Sequence, residues 1–192
     1  MSAASPGAPV SPGGTLAEAT SELAADDPAL VGPLLSEAAY QVVLASDLGR
    51  LYRSGDPRTL RAAWKPMLAD LDAVHRAATR AGSRMALAFL PSVLQVDATL
   101  RAATVARSGA SLRYRGLSRA ELDPGLPNAL LGEFARTRGI PQVDLTPVFL
   151  AENAAAAREP LYKQNDNHWT PRGNRLAAGS LITFLASLAC SD

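Results

Sequence analysis

Apolar positions along the chain change their spacing several times, and each change marks a different element. From Leu34 to Arg53, the residues Leu34, Leu35, Ala38, Leu44, Leu48 and Leu51 fall loosely on one side of a helix. The run Gln41-Val42-Val43-Leu44-Ala45 would also suit a short buried strand, but the pattern continues into Leu48 and Leu51, which favours helix. Ser54-Gly55-Asp56-Pro57 reads as a turn into a second helix, with Asp56 as N-cap and Pro57 at the first helical position. Pro66 is expected to break or restart that helix, because its ring removes a donor and crowds the preceding turn. Beyond it, Met67, Leu68, Leu71, Val74 and Ala78 form an apolar stripe that ends at Gly82, a C-terminal cap. His75 is expected on the solvent side of this helix. Met85-Ala86-Leu87-Ala88-Phe89-Leu90, closed by Pro91, has the pattern of a strand buried on both faces of a parallel sheet.

The same unit then recurs. Asn128 to Arg138 is helical, with Leu130, Leu131 and Phe134 facing inward, and Gly139 ends it. Ile140 to Leu145 forms a second short strand. Thr146 with Pro147 is expected to cap a helix to about Ala156, and Thr170 with Pro171 opens a last one carrying Leu176, Ala177, Ser180, Leu181, Phe184, Leu185 and Leu188. The order helix, strand, helix, strand, helix predicts an α/β fold. Val96 to Pro124, between the strands, is poorly patterned and reads as a short helix and a long loop. Ahead of these elements, residues 1–32 read as a flexible Pro/Gly/Ala-rich tail, with a short acidic helix admitted between Thr15 and Asp27. Residues 33–192 are left as the folded domain.

Composition narrows the function classes. The chain has 192 residues, enough for one domain. Lys+Arg number 19 against 18 Asp+Glu, for a net charge of +1, so no basic face is expected for nucleic acid. With 47% hydrophobic residues the chain is not wholly disordered. Charges or proline interrupt every apolar run before it reaches the ~20 residues of a membrane span. Cys190 stands alone, which excludes an internal disulfide or a multi-thiolate metal site. With only His75 and His168 present, zinc would have to rely on carboxylates, so neither a metal nor another cofactor is expected. The first residues lack the basic start and apolar core of a secretory signal, and the compartment stays open.

The stretch Pro160-Leu-Tyr-Lys-Gln-Asn-Asp-Asn-His-Trp-Thr-Pro-Arg-Gly carries the candidate chemistry. It sets Asp166 and His168 two residues apart in a polar loop, directly before a capped helix. An imidazole that takes a proton from a hydroxyl needs one nitrogen free and the other held by an acceptor. Asp166 suits that acceptor, and Trp169 is a large apolar anchor for the loop. One alternative is structural: Asp166 and Asn167 as turn residues ahead of the Thr170 cap, and His168 as a surface side chain. A metal site of His168, Asp166 and one more carboxylate is disfavoured because no second His lies nearby.

Asp166-Asn-His168-Trp169-Thr170, followed by Gly173 and Leu-Ala-Ala, resembles the last conserved block of SGNH (GDSL-type) hydrolases, in the bacterial variant also seen in alginate and cell-wall O-acetylation proteins. Ile140-Pro-Gln-Val-Asp-Leu-Thr-Pro-Val-Phe is similar to the strand and turn before that block. Arg84-Met-Ala-Leu-Ala-Phe-Leu-Pro-Ser-Val-Leu-Gln-Val resembles the family's strand that ends in Pro and a Gln-Val turn. The likeness covers roughly Trp64 to Ala189. Asn174 departs from it, since many relatives carry His there, and the position is expected on the helix behind the site. The resemblance implies a three-layer α/β/α flavodoxin-like fold, with His168 as general base, Asp166 as its orienting acid, and Trp169, Thr170 and Gly173 supporting them. It implies ester hydrolysis or O-acyl transfer on an acylated small molecule or polysaccharide, through an acyl-serine intermediate. Relatives often act at the cell envelope.

The family's nucleophile lies in a Gly-Asp-Ser block near the start of the domain, and this chain has none. Gly55-Asp56 is followed by Pro57. Ser46, after the apolar run at Val42, and Ser92, after Pro91 at a strand's carboxyl end, are the candidates to replace it. Ser46 reads more simply as a helix-surface residue. Two strands are also fewer than the about five of an open doubly wound sheet. The expectation is therefore an SGNH domain incomplete on its N-terminal side. It would be a partner-dependent fragment completed by a separate chain, or a non-catalytic remnant. Arg113, Arg115 and Arg119 near Tyr114 form a small basic cluster that reads as a solvated loop or an anion contact.

Overall fold

The computed structural model describes residues 35–51, 57–108, 122–155 and 159–190. The tail at 1–32, the Asp56 cap and the basic cluster at Arg113, Tyr114, Arg115 and Arg119 lie outside them. Helix α1 (Glu37–Leu51) carries the Val42 run, as the longer apolar pattern predicts. Tyr40, Leu44 and Leu48 recur every four residues and are all buried, lining one face of this helix. Val42, one of the residues that suited a strand, points outward and is 60% exposed.

Helix α2 (Pro57–Arg80) continues through Pro66 without a break, contrary to expectation. Ala62, whose carbonyl loses its partner to the proline, is exposed, so water can replace the missing bond. The inward face is also rotated from the predicted stripe. Met67 and Val74 are exposed, while Trp64 is buried and His75 half-buried. His75 is thus not a solvent-side residue. Its Nδ1 is sequestered without a hydrogen-bond partner among the described residues. Gly82 ends the helix as predicted, at φ +69°, where a side chain would be strained.

Strand β1 (Leu87–Phe89) pairs in parallel with β2 (Gln142–Asp144), with Ala88 opposite Val143. Among the described residues these two strands are the whole sheet. Met85, Leu87 and Phe89 point inward, whereas Ala86, Ala88 and Leu90 are exposed, so β1 is buried on one face rather than two. Leu87 packs on a cluster of Phe134, Ala135 and Ile140. Val143, on the sheet's other face, packs on the larger cluster built around Leu44, Leu48, Leu94, Leu145, Phe149 and Leu161.

The link from β1 to β2 runs through α3 (Val93–Val96), α4 (Ala98–Ser108) and α5 (Leu126–Thr137). Gly139, at φ +62°, turns the chain from α5 into Ile140 and β2. Helix α6 (Thr146–Ala154) follows, and here the expected cap moves. Leu145 is the N-cap, and the Asp144 carboxylate accepts the Thr146 backbone N–H at 2.8 Å in place of a threonine cap. Helix α7 (Pro171–Ala189) begins as predicted, with Thr170 Oγ1 accepting the Gly173 N–H at 3.2 Å. Of the residues expected to line it, Leu185 is exposed. No helix of the described residues is long and apolar enough to cross a membrane. The architecture is mixed α/β with a small parallel sheet.

Candidate functional site

Residues 159–170, ahead of α7, fold back on themselves. Tyr162 and Trp169 form an antiparallel bridge. The Thr170 N–H donates to the Leu161 carbonyl at 3.0 Å, and the Lys163 N–H to the His168 carbonyl at 3.0 Å. Asn165 sits at the turn with φ 51°, a left-handed conformation that asparagine tolerates better than most side chains. The loop is held by α6, by the end of β1 and by a bond within itself. The Trp169 ring lies 5.0 Å from that of fully buried Phe149. The Tyr162 hydroxyl donates to the Pro91 carbonyl at 2.7 Å, tying the loop to the end of β1. Thr170 Oγ1 donates to the Pro160 carbonyl at 2.7 Å while capping α7. Gly173 lies against the Leu161 carbonyl and the Trp169 side chain, where no Cβ fits.

Within this frame Asp166 is buried and His168 is 74% exposed at the side chain. One oxygen of Asp166 does two things. Its Oδ1 accepts the backbone N–H of His168 at 3.0 Å, closing an Asx turn. The same Oδ1 lies 2.5 Å from Nδ1 of the imidazole. Burial alone would raise the Asp166 pKa, but the backbone and ring hydrogen bonds of His168, the imidazole's charge and Lys163 outweigh it. The carboxyl is held below its ordinary range and stays ionised. An ionised acceptor fixes the ring with its proton on Nδ1, which leaves Nε2 to act as a base. No hydrogen bond occupies Nε2 among the described residues.

His168 opens onto a groove of about 390 Å³ lined by Leu90, Pro91, Lys163, Asn167, Trp169 and Asn174. The geometry therefore joins Asp166 to His168, and Trp169, Thr170 and Gly173 stand in the frame that holds them. Neither Ser46 nor Ser92 lines the groove. Ser46 is half-buried on α1. Ser92 is the N-cap of α3 and forms a capping box with Gln95, whose Oε1 accepts the Ser92 N–H at 3.0 Å. Asn174, expected behind the site, lines the groove itself.

Tyr40 was not singled out by any sequence signal. Its hydroxyl lies 3.4 Å from the Asp166 carbonyl and 3.3 Å from Oδ1 of Asn167, across 126 residues of chain. Lys163 and Asn167 belong to the motif stretch, but nothing in their spacing showed which way they face. Leu90 and Pro91, expected only to close a buried strand, line the groove.

No curated protein and no solved structure matches this chain. Residues 62–190 match the family described as an SGNH hydrolase-like domain, acetyltransferase AlgX. The match runs over nearly the same stretch as the resemblance carried by Asp166, His168, Trp169 and Gly173. It holds both strands, every groove-lining residue and all of α7, and so covers well over half of the chain. On that extent, the chain belongs to the SGNH hydrolase-like domain family of the acetyltransferase AlgX.

Proposed function

We propose that the Asp166–His168 pair serves acyl chemistry of the Ser-His-Asp kind, either hydrolysing an ester or moving an acyl group to a hydroxyl acceptor. The substrate would be an acylated small molecule or polysaccharide, handled in a three-layer α/β/α domain of flavodoxin-like order. The observation that carries the reading is the 2.5 Å contact between Nδ1 of exposed His168 and a buried carboxylate. In this scheme His168 Nε2 takes the proton of a serine hydroxyl as its oxygen bonds to the acyl carbon. The tetrahedral adduct expels the alcohol, which leaves with that proton. Water or an acceptor hydroxyl then attacks the acyl-serine by the same route, its proton passing through His168 and back to the serine.

A second reading has its own support: no serine lines the groove among the described residues. The base would then await a nucleophile from a complementary chain, or the domain would keep its shape without turnover. A fluorophosphonate probe together with short p-nitrophenyl esters separates these. Labelling that disappears in His168→Ala supports His168 as the base, and labelling that survives refutes it. No labelling and no hydrolysis by the chain alone favours the second reading.

A further inference from the structure

We infer that Tyr40 is a positioning residue for the Asp166–His168 pair. Its buried hydroxyl holds the Asp166 carbonyl and the Asn167 side chain, so the turn that aims the imidazole is fixed from helix α1. Tyr40 is 4% exposed, and a phenol buried that deeply must direct its proton to a nearby acceptor. The acceptors within reach are the Asp166 backbone oxygen at 3.4 Å and Asn167 Oδ1 at 3.3 Å, which share the one proton. Both belong to the two residues between Asn165, with its left-handed backbone, and His168. They are the segment whose path decides where the ring points.

The holding element is itself immobilised. Leu44 and Leu48, one and two turns along α1, are fully buried in the larger cluster, and Glu37 pairs with Arg107 of α4 at 3.1 Å. Tyr40 precedes residues 62–190, so the contact comes from outside the stretch that matches the family. Burial first, and then the charges of Asp166, Asp47, Glu37 and Asp97, push the phenol up to about 12. Tyr40 therefore keeps its proton, and remains a donor, through neutral pH.

The inference takes its meaning for catalysis from the proposed role of His168, but its test does not depend on turnover. Tyr40→Phe removes one oxygen and keeps the ring in the core. In the full chain, carbon-detected NMR follows the titration of the Asp166 carboxyl, and proton NMR follows exchange of the His168 Nδ1–H. A looser turn weakens the His168 bonds that hold the Asp166 carboxyl low, so its midpoint should rise toward the ordinary carboxylate value. Exchange of the Nδ1–H should quicken several-fold. A purely structural role would lower the melting temperature and leave both signals in place. Parental values of both in a folded Tyr40→Phe overturn the inference. Asn167→Ala removes one of the two acceptors and should give a smaller shift of the same sign. Were Tyr40→Phe not to fold, an unmoved midpoint in Asn167→Ala would overturn the inference instead. Survival of probe labelling in His168→Ala would refute the base assignment without bearing on the comparison of Tyr40→Phe with the parent.

Discussion

Gly173→Ala tests the packing that underlies the site. Gly173 is buried in the first turn of α7 and its N–H is held by Thr170 Oγ1. A Cβ there would lie 2.9 Å from the Trp169 Cβ and closer still to the Leu161 carbonyl oxygen, inside any ordinary contact. Neither neighbour can yield cheaply. The Leu161 carbonyl is backbone and accepts the Thr170 N–H at 3.0 Å, while Trp169 packs at a tilt against Phe149. Overpacking of this kind costs about 1–3 kcal/mol. Stretching the Leu161–Thr170 bond adds about 1 kcal/mol. Alanine's better helix propensity returns about 1 kcal/mol. The net loss is about 1–3 kcal/mol, and at 2–4 °C per kcal/mol it lowers the melting temperature by roughly 2–12 °C. Gly179→Ala is the control in the same helix, since a Cβ there meets nothing within 4 Å. It should gain up to about 1 kcal/mol from propensity alone. Urea titrations followed by circular dichroism measure both, and Trp169 fluorescence should shift only in Gly173→Ala. If the two variants move stability in the same direction, the close packing of the loop on α7 is refuted.

Two further substitutions probe the titratable groups. The folded pKa of Asp166 lies below the ordinary 3.8, so its stabilising contribution is complete above 3.8 and is lost as pH falls through the folded value. Asp166→Asn should therefore be less stable than the parent at neutral pH, with urea midpoints that converge in acid; a gap that widens in acid would contradict the assigned bonds. His75→Leu removes a buried nitrogen that has no partner among the described residues, at similar volume, and should be neutral or stabilising by up to about 1 kcal/mol. A clear loss of stability in calorimetry would mean that the imidazole is satisfied.

The features legible in the sequence are those set by local chemistry. Gly82 and Gly139 mark helix ends because only their backbones enter the left-handed region without strain. Thr170-Pro171 marks a helix start because cap and fixed φ act within four residues. The Asp166–His168 pairing is equally local, closed over two residues. The misjudged features depend on neighbours. Pro66 is tolerated because Ala62 faces solvent, which no composition rule at Pro66 can foresee. Alternation in β1 was hidden because Ala86, Ala88 and Leu90 are apolar yet exposed, so the run looked buried on both sides. Thr146 resembled a cap, but Asp144 was two residues away and better placed. Tyr40 was invisible because its partner lies 126 residues away, and a lone aromatic on a helix carries no mark of what its hydroxyl meets.

The double duty of one Asp166 oxygen gives the spacing of the motif a stereochemical reason. The atom that closes the backbone turn at His168 is also the atom that aligns the His168 ring. An aspartate two residues before the histidine closes that turn with the ring size of an Asx turn. Glutamate carries the same charge on one more methylene, so it cannot close the same ring and reach the same nitrogen together. At this position the acid is chosen by reach as well as by charge.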